Sequence, residues 1–534
     1  MQVWHDIGRI FVYLHMKMEH TLLSRKETIT KTPQYTMRNK LIITALATLL
    51  AANISAQETK YSHYYQNLPI QIEQVRPVEF PKNALNIAQF GAVPDGKTLC
   101  TEAIAAAIDS LTKMGGGHVI IPRGTWKTGP IVLKSNIDLN LRKGAVLVFS
   151  ENKELYVQKN DPRDGSKKCN ALIRASKCEN IGITGQGVID GQGFFWRPIK
   201  EKKVVRDGGL QEVWDAAMEL GGTLKQDDKT YRLWYPFNLK EELGIPNIAA
   251  TAEIQEKMRP HLVNITDSKN VIVEGVTLRN SPKFHLVPTR IQNLIIENVT
   301  IDCPWWAQNG DAMDPGNVQV ALIAGCHVSA GDDGICMKGG VGQKGVEAGP
   351  QRDFLITNDT VYRAHGGFVI GSEFSGGMQR IIVKDCMFDG TDIGCRFKSA
   401  PGRGGWCEDI YCYNIVMKNI REAAIFFQSG YADRSAGGRG ATDSDDKSAF
   451  YPDWSNVTFK DITCVNPNQA VDITGMKEKP VHNLSFENVS FYGVKKGMNI
   501  DYAENLTFKN CSITPAKENT IKHSKAILWN GTEL

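Results

Sequence analysis

Short segments in which apolar and polar residues alternate recur along most of the chain. Ten of them share one pattern, in which a polar residue, often asparagine, is followed by alternating positions rich in Val, Ile, Leu and Phe. This period of two predicts a short strand with one buried face. The segments are ENIGITG at 179, KNVIVEGVTL at 269, QNLIIENVTI at 292, VALIAGCHV at 320, RDFLITNDTV at 352, QRIIVKDCMF at 379, EDIYCYNIVM at 408, SNVTFKDITC at 455, HNLSFENVSF at 482 and ENLTFKNCSI at 504.

The spacing of these segments predicts a solenoid. If one anchor residue is taken near the start of each segment, successive anchors are 22 to 47 residues apart, and no amphipathic helices separate them. Such a repeat favours stacked turns that add rungs to parallel sheets, an all-β parallel β-helix. Leucine-rich repeats and propellers are disfavoured because neither a Leu-x-x-Leu-x-Leu signature nor a four-strand blade recurs. The anchors are 270, 293, 320, 353, 380, 409, 456, 483 and 505.

Two insertions interrupt the repeat. One, at about 197–258, is charged and partly helical in pattern, as in LQEVWDAAMEL, and the other begins at about 430 and accounts for the longest step. Insertions in a solenoid emerge on one rim and commonly shape its binding face. We therefore expect loop insertions on one rim of the coil. Stacked asparagines such as Asn456, Asn483 and Asn505 are expected to form a side-chain ladder or to be ordinary turn residues.

The N-terminal region has the order of an export signal. MRNK at 37 is followed by the apolar run LIITALATLLAA and by small residues up to Ala56, which predicts a signal peptide over 37–56. Twelve apolar residues are too few to span a bilayer, which needs about 20. We interpret residues 1–36 as a misassigned upstream extension and residues 57–534 as a single β-helix domain. The protein is expected to be exported, periplasmic or secreted, with no membrane anchor and a mature start at or near Gln57.

Charge and cysteine content narrow the possible partners. Residues 1–56 hold seven Lys or Arg and three Asp or Glu, so the remainder holds 55 of each and has no formal net charge. This balance gives no support to nucleic-acid binding, and an anionic ligand must be held by local basic groups. The 12 cysteines are dispersed without a zinc-like C-x-x-C spacing, and their pairing is left open. We expect a monomer without a metal or other cofactor.

Charged residues share one phase of the repeat. Equal offsets from successive anchors fall on one face of adjacent turns, about 4.8 Å apart. Six ionisable side chains lie 12 to 18 residues after the anchors of four consecutive turns, which predicts three carboxylates, an imidazole and two cations along one groove. They are Asp311, Asp332, Asp333, His365, Arg396 and Lys398. Lys338 is a further candidate for contact with an anionic substrate.

Each of these motifs has an ordinary structural interpretation when taken alone. Gly-Asp-Asp is common turn chemistry, NGDAMDP fits an Asx turn, and RFK fits a solvated strand face. A single histidine is more often packed than catalytic. The shared phase favours a site, because solvated charges have no reason to occupy the same sector of four successive turns.

Four of the motifs resemble, in order, those of the polygalacturonase family, glycoside hydrolase family 28. They are NGDAMDP at 309, GDDGICMKGG at 331, AHGGFVIGSE at 364 and RFKSAPGRGG at 396, and the 21-residue step from Asp311 to Asp332 matches the family spacing. NIAQFGAVPDGKTLCTEAIAAAI at 86 is similar to the cap region of pectin-acting β-helices. The resemblance covers about 83 to 515, and four motifs in order are far more specific than one.

The resemblance implies a right-handed parallel β-helix that hydrolyses α-linked galacturonate chains with inversion and without a metal. By motif, Asp332 would be the general acid, and Asp311 and Asp333 would activate the water. His365 would sit beside the acid and help keep it protonated, and Arg396 and Lys398 would bind a substrate carboxylate. This chain departs from the family pattern at four positions, which bear on the sugar preference: Gly310, Ala312, Gly334 and Ala364.

Hydrolysis of a glycosidic bond needs one carboxylic acid to protonate the leaving oxygen and one carboxylate to activate or replace water. Crowded carboxylates supply both forms, since they cannot all ionise easily. Two alternatives remain open: a pectate-lyase-like eliminase, which would use calcium, and a non-catalytic carbohydrate-binding β-helix. The two insertions motivate a further hypothesis of exo action.

Overall fold

The anchor residues of the predicted strands all adopt a left-handed backbone conformation. Their φ angles lie between 50° and 69° at all nine positions, from Asn270 to Asn505. This region is costly for most side chains but tolerated by Asn and Asp, which occupy seven of the nine positions. Each anchor lies beside the next anchor in the parallel strand pairing, as at 270 and 293 or 456 and 483. The predicted register is therefore confirmed at every step.

The stacked turns form a right-handed parallel β-helix, as predicted. The computed structural model describes residues 59–158, 168–200, 223–226, 229–233, 258–305, 307–431 and 450–534. Contacts join Lys60–Leu534 into one compact unit. The predicted signal peptide, the upstream extension, the helical pattern of the first insertion and most of the second insertion lie outside the described residues.

Three parallel sheets run the length of the coil, and we number them in the order in which the chain enters them. Sheet 1 contains the anchors and comprises Ala84–Asn86, Gly117–Ile121, Ile137–Leu141, Glu179–Gly185, Val263–Glu274, Leu286–Glu297, Gln319–Ala324, Gln351–Thr357, Met378–Lys384, Cys407–Lys418, Ser455–Val465, Val481–Tyr492, Ala503–Lys509 and Lys525–Trp529. Sheet 2 comprises Asp95–Leu99, Gly124–Thr128, Ala145–Phe149, Val188–Asp190, Thr277–Arg279, Thr300–Asp302, His327–Ser329, Thr360–Tyr362, Met387–Asp389, the ends of three long sheet 1 strands, and Ser512–Thr514.

Sheet 3 carries the predicted functional motifs. It comprises Ile131–Val132, Ile173–Ser176, the starts of Val263–Glu274 and Leu286–Glu297, Ile335–Met337, Gly366–Gly371, Ile393–Lys398, Ala423–Gln428, Gln469–Thr474, Lys496–Asp501 and Thr520–Lys522. Single bridges at Met313 and Gly316 continue this sheet between Leu286 and Ile335. The motifs therefore stack along one face.

A few elements lie outside the three sheets. The helix Thr101–Lys113 buries Ile104, Ile108 and Leu111 against the first turns. The other elements are the helix Gly342–Ala348, the 3-10 helices Ser62–Tyr65, Ile87–Phe90, Lys153–Leu155 and Gly193–Phe195, the antiparallel strands Pro198–Lys200, Thr223–Gln226 and Lys229–Leu233, and Thr532–Glu533, which pairs with the last strand of sheet 1. No helix among the described residues is both long and apolar enough to cross a membrane.

Apolar side chains of equal phase stack inside the coil. The rings of Phe397 and Phe427 lie 4.2 Å apart and nearly parallel, and those of Phe486 and Phe508 lie 4.2 Å apart. All twelve cysteines are free thiols, and ten of them are buried. The core is therefore apolar packing in register, without disulfide links.

The segment after residue 60 covers part of the outer face of sheet 1. Tyr61, Tyr65 and Val75 pack on an apolar patch that includes Ile295 and Leu355. The backbone of Arg76 forms two hydrogen bonds with the side chain of Asn293, in which Arg76 N donates to Oδ1 at 2.8 Å and Nδ2 donates to Arg76 O at 3.0 Å. We call residues 60–80 the N-terminal segment.

Asparagine ladders also link successive turns, as the sequence suggested. Nδ2 of Asn293 donates to Asn270 at 3.0 Å, and Nδ2 of Asn270 donates to Asn180 at 3.0 Å. Of the asparagines named in advance, Asn505 donates to Asn483 at 3.4 Å, whereas Asn456 donates to Ser455. The ladder interpretation is thus confirmed for the first pair, whereas Asn456 fits the alternative of an ordinary turn residue.

Asn293→Ala is expected to lower the free energy of unfolding by about 2 kcal/mol more than Asn505→Ala, since only Asn293 also bonds the N-terminal segment and each hydrogen bond contributes about 1 kcal/mol. Both residues have positive φ and a single ladder bond to the preceding turn, which makes Asn505 a matched control. Calorimetric melting of the two variants measures the difference. Equal losses would show that the bonds to Arg76 do not contribute.

Candidate active site

The register of sheet 3 brings the predicted ionisable residues together. Val369 lies beside Arg396, and Gly371 beside Lys398, in adjacent parallel strands. Phe397 points into the core, so Arg396 and Lys398 both point outward, as predicted. Asp332 and Asp333 lie in the bend just before Ile335–Met337, and Asp311 lies one turn earlier, just before the bridge at Met313. His365 directly precedes Gly366–Gly371. The six in-phase residues and Lys338 therefore share one face of the coil.

Asp333 is the centre of this cluster and is clamped by two cations. Nζ of Lys398 lies 2.6 Å from Oδ2 of Asp333, and a guanidinium nitrogen of Arg396 lies 3.1 Å from Oδ1. Burial of the carboxyl, which is 1% exposed, raises its pKa. The charges of Lys398 and Arg396 outweigh this effect and lower the pKa to about 2. Asp333 is therefore ionised at any physiological pH.

Asp332 forms a pair with His365. Nδ1 of His365 lies 2.9 Å from Oδ1 of Asp332, and the backbone N–H of His365 donates to the Asp332 carbonyl at 2.7 Å. The Asp332 side chain is 17% exposed, so among the three predicted catalytic carboxyls it is the one open to solvent. On the other side of the imidazole, Nε2 lies 3.8 Å from Asp392. The histidine thus lies between two carboxyl groups, one on the turn before its own and one on the turn after it.

Asp311 and Asp314 form a buried carboxyl pair, and Asp314 was not singled out from the sequence. Burial raises the pKa of Asp311 well above its usual value, and the charges of Asp314 and the neighbouring aspartates raise it further. Burial raises the pKa of Asp314 to about 7, against the opposing effect of Lys338. Oδ1 of Asp311 and both oxygens of Asp314 are buried without a hydrogen-bond partner. The cluster therefore holds protons beside the ionised Asp333.

Lys338 lies beside Asp314 rather than free in the groove. Its Nζ donates to the carbonyl of Gly371 at 2.8 Å and lies 3.8 Å from Asp314 and 3.5 Å from Glu373. Burial lowers the pKa of Lys338, but the surrounding negative groups outweigh this effect and raise it well above its usual value. The cation is therefore permanent, and its charge is shared among two carboxylates.

His285 fixes the backbone of Asp311 and was also missed. The Ser281 N–H donates to Nε2 of His285 at 3.2 Å, so Nδ1 carries the ring proton and donates to the Asp311 carbonyl at 3.0 Å. Complete burial lowers the pKa of His285 to about 4, which keeps the ring neutral. His285 lies in FHLVP, where it reads as one polar residue within an apolar strand. The period-2 pattern gave no reason to choose it.

Tyr431 borders the cationic side of the cluster. Its ring centroid lies 5.6 Å from Arg396, 5.1 Å from Lys398 and 6.0 Å from Arg403. Cations over an aromatic face are attracted by its quadrupole. Tyr431 lies in the second insertion, and Arg403 lies near the end of the motif RFKSAPGRGG. Neither residue repeats at a fixed distance from an anchor, so the repeat could not identify them.

The arrangement suits acid–base chemistry better than cation binding. One donor atom each from Asp332, Asp333 and His365 lies within 4.8 Å of the others, the one grouping of this kind among the described residues. These three donor atoms are therefore close enough together to bind one metal ion. However, Asp333 already contacts two cationic side chains, whose combined charge exceeds its own, and a divalent cation would be repelled by Arg396 and Lys398. A buried cluster that combines protonated and ionised carboxyls fits glycosidic-bond hydrolysis.

Comparison with known proteins supports this interpretation. The family model Glycosyl hydrolases family 28 matches residues 247–513. An exo-poly-alpha-D-galacturonosidase of Dickeya chrysanthemi is 30% identical over 465 residues, which cover 82% of this chain and 73% of that protein. An endo-polygalacturonase of Pectobacterium carotovorum subsp. carotovorum is 28% identical over 368 residues, which cover 68% of this chain and 76% of that protein.

A solved structure shows the same fold. The crystal structure of a hyperthermoactive exopolygalacturonase from Thermotoga maritima has 28% sequence identity and a TM-score of 0.65, and the match covers 83% of this chain and 95% of that one. The fold, the ordered motifs and these matches agree. The chain therefore belongs to glycosyl hydrolases family 28, the family of the polygalacturonases.

Proposed function

We propose that this glycoside hydrolase cleaves the α-glycosidic bonds of galacturonate-containing pectic polysaccharides or oligosaccharides, and that it acts from chain ends. The main support is the clamp of Arg396 and Lys398 on Asp333, which places an ionised carboxylate and two cations beside the more open acid Asp332. Relatives named for galacturonan hydrolysis supply the substrate class. The reaction needs no metal in this proposal.

Asp332 is the proposed general acid. A general acid must reach the leaving-group oxygen, and Asp332 is more exposed than either Asp311 or Asp333. Its contact with His365 at 2.9 Å places an imidazole directly beside the acid. His365 is therefore proposed to help keep Asp332 protonated.

Asp333 is the proposed base for water, with Asp311 beside it to orient that water. Of the two, Asp333 stays ionised because of its cationic partners, whereas burial favours the protonated form of Asp311. This refines the expectation that Asp311 and Asp333 both activate the water. Arg396 and Lys398 are proposed to hold a substrate carboxylate near Asp333, and Lys338 is a second candidate for that role.

A retaining mechanism is the rival, and one observation favours it. An oxygen of Asp332 and an oxygen of Asp333 lie within 4.8 Å of each other, close to the roughly 5–5.5 Å of enzymes that form a covalent intermediate. We propose inversion, as the family resemblance implies.

Exo action is proposed from the insertions and from the relatives. The relative that is 30% identical and the solved structure with a TM-score of 0.65 carry exo names, while other similar proteins carry endo names. Insertions that close one end of the groove would restrict productive entry to chain ends. We further propose that the protein is exported through the signal peptide at 37–56 and works as a monomer.

Asp332→Asn is expected to lower turnover of polygalacturonate at least about a hundredfold, the scale for loss of a general acid. Asp461→Asn, on the far side of the coil, is the matched control and should keep near-native turnover. Reducing-sugar assays measure the turnover of both variants, and circular dichroism checks that both are folded. Near-native turnover of Asp332→Asn would refute the acid assignment.

The first product of hydrolysis is expected to be the β-anomer, since direct attack by water inverts an α-linkage. Proton NMR of the new reducing end, recorded before mutarotation, reads this out. An initial α-anomer would establish retention. A 4,5-unsaturated sugar, together with loss of activity to a calcium chelator, would instead identify an eliminase.

Exo action predicts that a single short product appears from the first minutes of digestion of polygalacturonate, while the viscosity of the polymer falls slowly. Chromatography measures the rate at which the short product is released, and viscometry of the same reaction measures the rate at which viscosity falls. A rapid fall in viscosity with few reducing ends would show internal cleavage.

A further inference from the structure

The loop that follows Lys398 is held rigidly at the edge of the active-site cluster. The Arg403 carbonyl accepts a hydrogen bond from Phe374 N at 3.0 Å, Gly404 N donates to Phe450 O at 3.0 Å, and the Gly405 carbonyl accepts from Asp453 N at 2.8 Å. A Cβ on Gly405 would lie 2.0 Å from the Phe374 carbonyl oxygen, so only glycine permits this approach. The backbone of Arg403 is therefore fixed by segments on both sides.

The side chain of Arg403 is buried without an acidic partner. The residue is 7% exposed, and its guanidinium donates one hydrogen bond, to the Tyr431 carbonyl at 3.3 Å. Within the part of the chain that the structure describes, no carboxylate lies within 4.0 Å of it, and Glu373, whose pKa the charge of Arg403 helps to lower, lies farther away. A buried cation without a counterion is unfavourable, and proteins normally pair it. The neighbouring Arg396 and Lys398 illustrate this rule, because Asp333 pairs with both.

Arg403 lies next to the proposed substrate site. Its guanidinium carbon, that of Arg396 and Nζ of Lys398 all lie within 6.0 Å of the centroid of one ring, that of Tyr431. Asp333 contacts both Arg396 and Lys398 directly, whereas the guanidinium of Arg403 donates only to the Tyr431 carbonyl, so Arg403 is the one of the three without a direct contact to a carboxylate of the described residues. A guanidinium presents a planar fork that matches a carboxylate with two parallel hydrogen bonds.

We propose that Arg403 binds a second carboxylate of the substrate, on a different galacturonate unit from the one held by Arg396 and Lys398. The inference rests on the proposed function, since it needs an anionic polysaccharide in the groove. It adds a specificity element: the enzyme selects chains that are unesterified at two positions. The substrate carboxylate supplies the counterion that the protein itself does not, and the fixed loop means that little entropy is lost when it binds.

The experiment measures binding of trigalacturonate and of its methyl ester by calorimetry, in an Asp332→Asn background that prevents turnover. Adding Arg403→Gln should weaken binding of the acid about tenfold or more, the scale for one charge-assisted hydrogen bond. The same change should alter binding of the ester less than about twofold, because no carboxylate is left to lose. Arg403→Lys should fall between, since it keeps the charge but not the fork.

Arg76→Gln is the matched control. Its side chain is 81% exposed on the far face, so it removes one positive charge without touching the groove, and affinity for both ligands should be unchanged. Equal weakening of acid and ester by Arg403→Gln would show a structural role and overturn the proposal, as would no weakening at all. If Arg403→Gln lowers the melting temperature of the protein, binding of trigalacturonate and of its methyl ester is compared in Arg403→Lys instead.

The outcomes separate this inference from the function on which it rests. If trigalacturonate binds to the Asp332→Asn protein and Arg403→Gln leaves its affinity unchanged, only the role of Arg403 fails. If trigalacturonate does not bind to that protein, the proposed substrate is wrong and the role of Arg403 falls with it.

Discussion

Parallel register between successive turns is the constraint on which the rest of the structure depends. Each turn is set by a residue with a left-handed backbone at the entrance to sheet 1, and the same residue lies beside its counterpart one turn away. Because turns stack at about 4.8 Å, a side chain on one turn is always opposite the side chain of equal phase on the next. Inside the coil this alignment stacks Phe397 on Phe427, and outside it places Arg396 and Lys398 against Asp333. Packing and chemistry thus follow from one periodicity.

The electrostatic character of the site follows from a difference between its buried carboxyl groups, since they differ in the number of cationic side chains that contact them. Asp311 and Asp314 are buried, and the charge of Lys338 beside Asp314 does not offset the loss of water, so the pKa of each is raised. Asp333 is buried as deeply but carries two cationic partners, so its ionised form is favoured. One small volume therefore provides both a proton store and a permanent negative charge, which are the two states that acid–base cleavage of a glycosidic bond requires.

Features that repeat with the turns could be predicted from the sequence, and features that do not repeat could not. The nine anchors, the strand phase and the joint position of Asp311, Asp332, Asp333, His365, Arg396 and Lys398 all follow from equal spacing. Asp314 lies in the motif NGDAMDP, which was recognised from the sequence. It was not selected because Asp311 alone satisfied the argument from the spacing of the turns.

His285 and Arg403 could not be found in this way. The role of His285 depends on a hydrogen bond to a backbone carbonyl, which leaves no trace in residue type. Arg403 belongs to a loop whose position is fixed by Phe374, Phe450 and Asp453, which are distant in sequence and have no periodic relation to it. Asn456 shows the opposite case: its phase is that of the ladder, yet its amide donates to the neighbouring Ser455.

The N-terminal segment ties the beginning of the chain to turns that are made much later. Arg76 meets Asn293 across 217 positions, and the patch under Tyr61 and Tyr65 includes Ile382. A chain synthesised from its N-terminus therefore carries an aromatic, apolar strip for some two hundred residues before the surface that covers it exists. The solenoid can grow turn by turn from local contacts, but this strip cannot dock until the middle of the coil is complete. Its docking thus marks the assembly of the same turns that bear Asp311 and Asp333.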